Sequence, residues 1–454
     1  MSLRILFVAA EATPFSKVGG LADVAGSLPA ALAKRGHEVR LVTPRHTAQQ
    51  ERPQPERELT TEFRGTTTAF SVEEVSLGHG ASASIVADGT YFPRETVYGF
   101  PDDLDRYLFF SQAALELPRL IGWQPDVIHL NDWHTGPMAY ALRNYRWSDD
   151  FYRKAISVFT IHNLRYRGPD EFVDLIGPAI FYADIVTTVS PTYAREIVTP
   201  ELGEGLHELL RLRQDDLYGV VNGIDYGEFD PASDPRIEAN FDSETLDTRQ
   251  RNRAALRSQL GLDDLQVPLV GMVTRLSEQK GIDIALEALG PLVAEGGVQV
   301  AILGTGDRSY EEAASALSAK QSGRFSATIG FDADLAQQIY AGSDLFLMPS
   351  RFEPCGLGQM IAMRYGSIPV VRRTGGLADT VPDVSQENGL GFVFDDYDAA
   401  AVTSTLQRAL DLFEDRVTWR GLQKRAMLAD FSWDASAAEY DRLFEKTLQS
   451  RSRD

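Results

Sequence analysis

The chain has 454 residues, 43% of them hydrophobic and 24% charged, too long for one ordinary core and too apolar for disorder. A single cysteine excludes a disulfide framework and a Cys-based zinc site, and it points to the cytoplasm. Against 65 acids stand 44 Lys and Arg, a net charge of −21, which makes nucleic acid and anionic membranes poor partners. No apolar run reaches the roughly 18 residues that would span a bilayer.

In chain order, Arg4–Ala10 is a near-continuous apolar run, as in a parallel strand buried on both faces. Residues 20–34 follow with helical spacing of Leu21, Val24, Ala25, Leu28, Ala31 and Leu32. Strand-like runs come at Glu38–Thr43, Ala81–Ala87, Asp126–Leu130, Ala155–Ile161 and Asp184–Ser190, with helical stretches between them. Residues 231–248 are polar, with Pro231 and Pro235, and are the linker candidate. A second strand series lies at Pro268–Thr274, Val298–Gly304, Phe325–Gly330, Asp344–Pro349 and Ile368–Val371. This pattern predicts an α/β chain of two doubly wound, Rossmann-like domains facing a cleft. The expected divisions are 1–240, 241–430 and a C-terminal helix in 431–454 that could pack back on the N-terminal domain.

Several constellations carry chemistry. Gly19-Gly20-Leu21-Ala22-Asp23 recurs as Gly375-Gly376-Leu377-Ala378-Asp379, each closing a loop and opening a helix. Such loops let a backbone approach an anion, although two ordinary helix starts would look alike. Lys17 beside the first copy suits a phosphate. Arg275 and Lys280 sit five residues apart after an apolar strand, where a diphosphate would be met. Glu353 lies in Ser350-Arg-Phe-Glu-Pro-Cys-Gly-Leu-Gly358, again between strand and helix; Cys355 there reads as a packed thiol. His129-Leu-Asn-Asp132-Trp-His134 and Thr160-Ile-His162-Asn163 suit hydrogen bonds to a sugar better than a metal. His129 can equally be a core residue. Gly304-Thr-Gly306 lacks the third glycine of a dinucleotide fingerprint, and Asp332-Ala-Asp334 reads as a helix cap.

Together, KVGGLADV (17–24), HLNDWHTG (129–136), TIHN (160–163), VTTVSPTYAREI (186–197), NGID (222–225), RLSEQKG (275–281), SRFEPCGLGQ (350–359) and RRTGGLADTV (372–381) resemble the bacterial glycogen synthase and plant starch synthase family. The resemblance spans nearly the whole chain. It implies a GT-B fold and retaining transfer of glucose from ADP-glucose to the non-reducing end of an α-1,4-glucan, with no metal and no cofactor. It implies that Lys17, Gly19 and Gly20 contact the donor. Arg275 and Lys280 would hold the diphosphate, Glu353 the transferred glucose, and His162 would lie near the reacting carbon. Asp132 matches the family's essential aspartate on the acceptor side, with Asp23, Asn163 and His134 near the sugars. Cys355, Gly356, Leu357, Thr374, Gly375 and Gly376 would line the phosphates, and Tyr340 the adenine.

Breaking a glycosyl–phosphate bond leaves negative charge on the departing phosphate, and fixed cations favour that state without a metal. No carboxylate pair marks a glycosidase. Departures from the family pattern cluster in the N-terminal half: Asp102-Asp103-Leu104-Asp105-Arg106, Leu175-Ile176-Gly177-Pro178-Ala179, and a shortened, Pro-rich stretch at 44–60. They keep open a transferase with another small acceptor or with UDP-glucose. A non-catalytic glucan-binding protein is the alternative from a different class.

Overall fold

The computed structural model describes residues 2–46 and 57–451. Most of the Pro-rich stretch at 44–60 therefore lies outside the described residues. The chain divides into two compact units, Met1–Gly223 with Ser432–Asp454, and Ile224–Phe431. The first division falls before the polar stretch 231–248, which belongs wholly to the second unit. Its polarity serves local turns and not a linker: Asp230, Asp234 and Asp242 each accept bonds from backbone N–H groups or side chains nearby.

In the first unit the strands are β1 (Arg4–Val8), β2 (Glu38–Pro44), β3 (Arg57–Phe63), β4 (Thr66–Gly78), β5 (Ala81–Ala87), β6 (Val127–Asn131), β7 (Ile156–Ile161), β8 (Ile185–Thr188) and β9 (Leu217–Gly219). They form one sheet in the order β3-β4-β5-β2-β1-β6-β7-β8-β9. All pairs are parallel except β3 with β4 and β4 with β5. The central strands are buried along their length, which is why they read as apolar runs. β3 and β4 are different. Their Thr, Glu and Ser residues alternate with few buried positions, chiefly Thr61, Phe70 and Val72. The helix Trp433–Arg451 packs on this unit, with Trp433, Tyr440 and Phe444 in one cluster with Ile5, Phe7 and Leu28.

The second unit holds β10 (Leu269–Val273), β11 (Gln299–Gly304), β12 (Phe325–Ile329), β13 (Leu345–Met348), β14 (Ile368–Arg372) and β15 (Phe392–Phe394). Its sheet is wholly parallel, in the order β12-β11-β10-β13-β14-β15.

Both orders have a switch point, where successive connections leave in opposite directions and the loops part. In the first unit it lies between β1 and β6, in the second between β10 and β13. The loops leaving the carboxyl ends of these four strands carry Lys17, Asp132, Arg275 and Glu353. Fold topology thus selects the same segments as the motifs did. Among the described residues no helix is long and apolar enough to cross a membrane.

Candidate active site

The first unit presents a ring of polar groups at the ends of β1, β6 and β7. Asp132 follows β6 with φ 56° and ψ −176°, a backbone region that residues other than glycine seldom occupy. Its Oδ1 accepts the backbone N–H of His162 at 2.7 Å, and it also bonds the N–H of Asn163. The turn after β7 is therefore hung on Asp132. Burial pushes the Asp132 carboxyl up to about 7, with Glu11 adding repulsion.

The His162 ring is fixed from the other side. Asn131 donates its Nδ2 to the Val8 carbonyl at 3.0 Å, which leaves its Oδ1 to accept from His162 Nε2 at 2.9 Å. Nε2 thus carries the proton, and burial lowers the ring to about 3, so it is neutral at physiological pH. Asn163 shapes the turn that follows, its Oδ1 accepting from Arg165 N–H.

His134 stands elsewhere. Its ring is buried among Tyr98, Tyr107 and Trp133, with centroids 4.8, 4.6 and 4.0 Å away. Neither ring nitrogen has a hydrogen-bond partner among the described residues. It packs among these rings in the wall behind the site. His129 is likewise a core residue, against Phe7 and Tyr440, with Nε2 bonded to Thr160.

Lys17 pairs with Asp23 at 2.6 Å, which ties the loop ahead of the helix Gly20–Lys34 to the helix's first turn. A Cβ on Gly20 would meet nothing within 4 Å. The protein itself leaves room there for an incoming group.

Sequence reasoning passed over two groups behind this loop. Glu11 is only 3% exposed and accepts the N–H groups of Val18 at 2.5 Å and Gly19 at 3.2 Å. It also bonds the Tyr98 hydroxyl. Burial raises its carboxyl to about 7. An acid inside the run from Ile5 to Ala12 was the available signal. Tyr98 had none. It is placed by the buried Arg106, which donates to the carbonyls of Tyr91 and Val97 and pairs with Asp103. Asp103 in turn accepts from the N–H groups of Gly99 and Phe100. The departure Asp102-Asp103-Leu104-Asp105-Arg106 is thus a buried brace for the 91–100 loop.

The second unit brings Lys280 and Glu353 together. Lys280 Nζ lies 2.5 Å from Glu353 Oε2, and the Ser350 hydroxyl donates to the same oxygen at 3.1 Å. Glu353 is buried and Lys280 partly so. The loops that carry them are laced together: Arg351 N–H donates to the Gln279 carbonyl. Gly281, at φ 71°, lies so close that a Cβ would sit 2.1 Å from the Pro349 carbonyl. Arg275 stands exposed at the end of β10. Gly304 and Gly306 press against the carbonyls of Thr274 and Leu276, so that Gly-Thr-Gly shapes the Arg275 loop.

The repeated glycines do unequal work. A Cβ on Gly375 would lie 1.9 Å from the Glu353 carbonyl, and one on Gly376 would lie 2.2 Å from that of Cys355. Gly376 N–H donates to the carbonyls of Glu353 and Pro354. This pair, which follows the buried Thr374, seats the Glu353 loop. Cys355, the chain's single cysteine, is buried. Gly356, at φ 74°, and Leu357 lead into the helix Gly358–Arg364, whose first N–H groups lack partners inside the helix.

Tyr340 is buried against Phe346, with rings 4.9 Å apart, beneath Gly358. It cannot offer a face to adenine. At the carboxyl end of β12 the aromatic that does present a face is Phe331, 88% exposed. Asp332 caps the next helix, accepting from Leu335 N–H at 2.9 Å.

Comparison with known proteins matches this division. Residues 4–212 fit the starch synthase catalytic domain model, and residues 267–412 fit the model of glycosyl transferases group 1. The glycogen synthase of Desulforudis audaxviator (strain MP104C) is 42% identical, covering 98% of this chain and 97% of its own.

The chain belongs to the glycogen synthase and starch synthase family.

The glycogen synthase of Moorella thermoacetica (strain ATCC 39073 / JCM 9320) is 43% identical over 99% of this chain and 98% of its own. Among solved structures, the catalytic domain of starch synthase IV from Arabidopsis thaliana, bound to ADP and acarbose, superposes with TM-score 0.90. It is 34% identical, covering 99% of this chain and all of that one. The fold is therefore GT-B, and the chain is a glucosyltransferase of the glycogen synthase type.

Proposed function

We propose that the chain transfers glucose from ADP-glucose to the non-reducing end of an α-1,4-glucan, with retention and without a metal, in the cytoplasm. The observation that carries this reading is the Lys280–Glu353–Ser350 cluster at the switch point of the second sheet. It sets a cation and a sugar-binding carboxylate within one bond of each other, as glucosyl–phosphate cleavage requires. Arg275 and Lys280 take the diphosphate. Their charge favours its departure, and the leaving phosphate accepts the acceptor's hydroxyl proton on the face where the new bond forms. Lys17 and the open approach at Gly20 also contact the donor. Gly356 and Leu357 bring backbone N–H groups to the phosphates, while Cys355, Thr374, Gly375 and Gly376 hold that loop in shape. His162 and Asn163, hung on Asp132, contact the glucose. ADP and acarbose on the Arabidopsis relative support this choice of donor and acceptor class.

Release of nucleoside diphosphate tests the reading. ADP is expected from ADP-glucose only with glycogen or a maltooligosaccharide present, at an unchanged rate in excess chelator. Release from UDP-glucose alone, or with a small non-glucan acceptor alone, contradicts it.

The exposed Phe331 gives a further expectation for the donor. It takes over the role assigned to Tyr340. Phe331→Ala should raise KM for ADP-glucose by roughly tenfold, given about 1–3 kcal/mol for a base stacked on an aromatic ring, while KM for glycogen stays put. Steady-state kinetics with either substrate varied reads both values.

A further inference from the structure

Glu11 lies outside every motif that carries the family resemblance, yet it is built into the donor side of the first unit. The loop after β1 buries it. From there it reaches forward to the residues just ahead of the helix Gly20–Lys34, accepting from Val18 and Gly19 N–H. That helix has no side-chain cap of its own at Gly19. The Tyr98 hydroxyl holds the carboxyl from behind, and Tyr98 is itself fixed by the Asp103–Arg106 brace.

Satisfaction of two N–H groups alone does not explain a buried acid. Val18 is half exposed, so water could reach the loop, and a buried carboxyl is costly to keep. What water cannot do is hold Val18 and Gly19 in one orientation. Lys17 is the next residue, and its pair with Asp23 spans the same turn.

We propose that Glu11 is a positioning residue for donor capture: by holding the N–H groups of Val18 and Gly19 it fixes Lys17 and the start of the helix Gly20–Lys34 in the shape that receives the nucleoside diphosphate. It touches neither substrate. The inference rests on the reading of the Lys17 loop as a donor contact.

The test uses the full chain with Glu11→Ala, Glu11→Gln, Glu11→Asp and Lys17→Ala, varying ADP-glucose at fixed glycogen and the reverse. Glu11→Ala should raise KM for ADP-glucose about tenfold or more and leave KM for glycogen within about twofold. Glu11→Gln keeps an oxygen that can accept both N–H groups and should restore donor KM to within about threefold of the parent. Glu11→Asp keeps the charge but withdraws the oxygen by one methylene. It should raise donor KM by about fivefold, and it serves if the alanine variant does not fold. An unchanged donor KM in Glu11→Ala or Glu11→Asp overturns the proposal. So does a glutamine variant as impaired as alanine, or an equal rise in both KM values. Lys17→Ala separates the two readings. If it leaves donor KM unchanged, the donor assignment of the loop fails. If it raises donor KM while Glu11→Ala does not, the inference fails and the assignment stands.

Discussion

Glu353→Gln should lower kcat by about 10²–10³-fold while ADP binds more tightly than to the parent protein. These two effects have opposite signs for one reason. In the structure the Glu353 carboxylate neutralises Lys280 at 2.5 Å and lies buried, where charges act strongly. Glutamine keeps the shape and the Ser350 contact but removes the negative charge. Lys280 then offers its full charge to the diphosphate, so the Kd for ADP falls, by about threefold or more. Turnover collapses because the carboxylate no longer grips the glucose as positive charge builds on it. Glucan binding should be unaffected. Lys280→Ala is the counterpart and should weaken ADP binding and lower kcat together. Calorimetry with ADP and initial rates with glycogen check both. Unchanged turnover in Glu353→Gln would sink the assignment.

The second large effect concerns Asp132. Asp132→Asn should cost at least ~10² in kcat yet stabilise the fold at alkaline pH. Below the ordinary carboxylate range, folded and unfolded chains both hold the proton. As pH rises the unfolded chain releases it first, while burial keeps the folded group protonated to about 7. Folding therefore loses free energy across that window, and the full cost, on the order of a few kcal/mol, is present above it. Asparagine does not titrate, and its oxygen can still accept from His162 and Asn163. It also tolerates positive φ better than most residues. The melting midpoint of Asp132→Asn should exceed the parent's by about 4 °C or more near pH 8, with the gap closing as pH is lowered toward about 4. A destabilised variant at high pH would show that Asp132 is a structural anchor and not a carboxylate retained for catalysis. Glu11 carries the same kind of burden, since its carboxyl is also raised to about 7.

Much of this site was legible because parallel strands buried on both faces write themselves as apolar runs, and switch-point loops follow them directly. β5 lies at the expected residues Ala81–Ala87, and the first helix at 20–34. Arg275, Lys280, Glu353 and Asp132 fall on such loops, and His162 follows the neighbouring strand β7. The hairpin β3–β4 left no apolar run to read because its buried positions are sparse among Thr and Glu residues. The domain division was misplaced because acidic turn residues mimic a linker.

Other gaps have a common cause: function set by what packs behind a residue. The two Gly-Gly-Leu-Ala-Asp copies have identical letters. Yet Gly20 faces open space, and Gly375 and Gly376 lie on the Glu353 loop. Tyr340 and His134 sit at plausible ligand-facing positions, but Phe346 packs against the first and Tyr98 against the second. Phe331 is the reverse, an apolar residue that nothing covers. Glu11 showed only as an acid inside an apolar run, because the backbone N–H groups that it holds leave no trace in residue identity.

The fate of the anomeric centre decides whether the chain makes an α-1,4-glucan from ADP-glucose. Glycogen incubated with ADP-glucose labelled with carbon-13 at the glucosyl C1 should show the label only in α-1,4 linkages. Exo-acting digestion should remove it first, from non-reducing ends, and each glucosyl unit incorporated should match one ADP released. Label appearing as a β-linkage, as free glucose, or not at all in the glucan would contradict it.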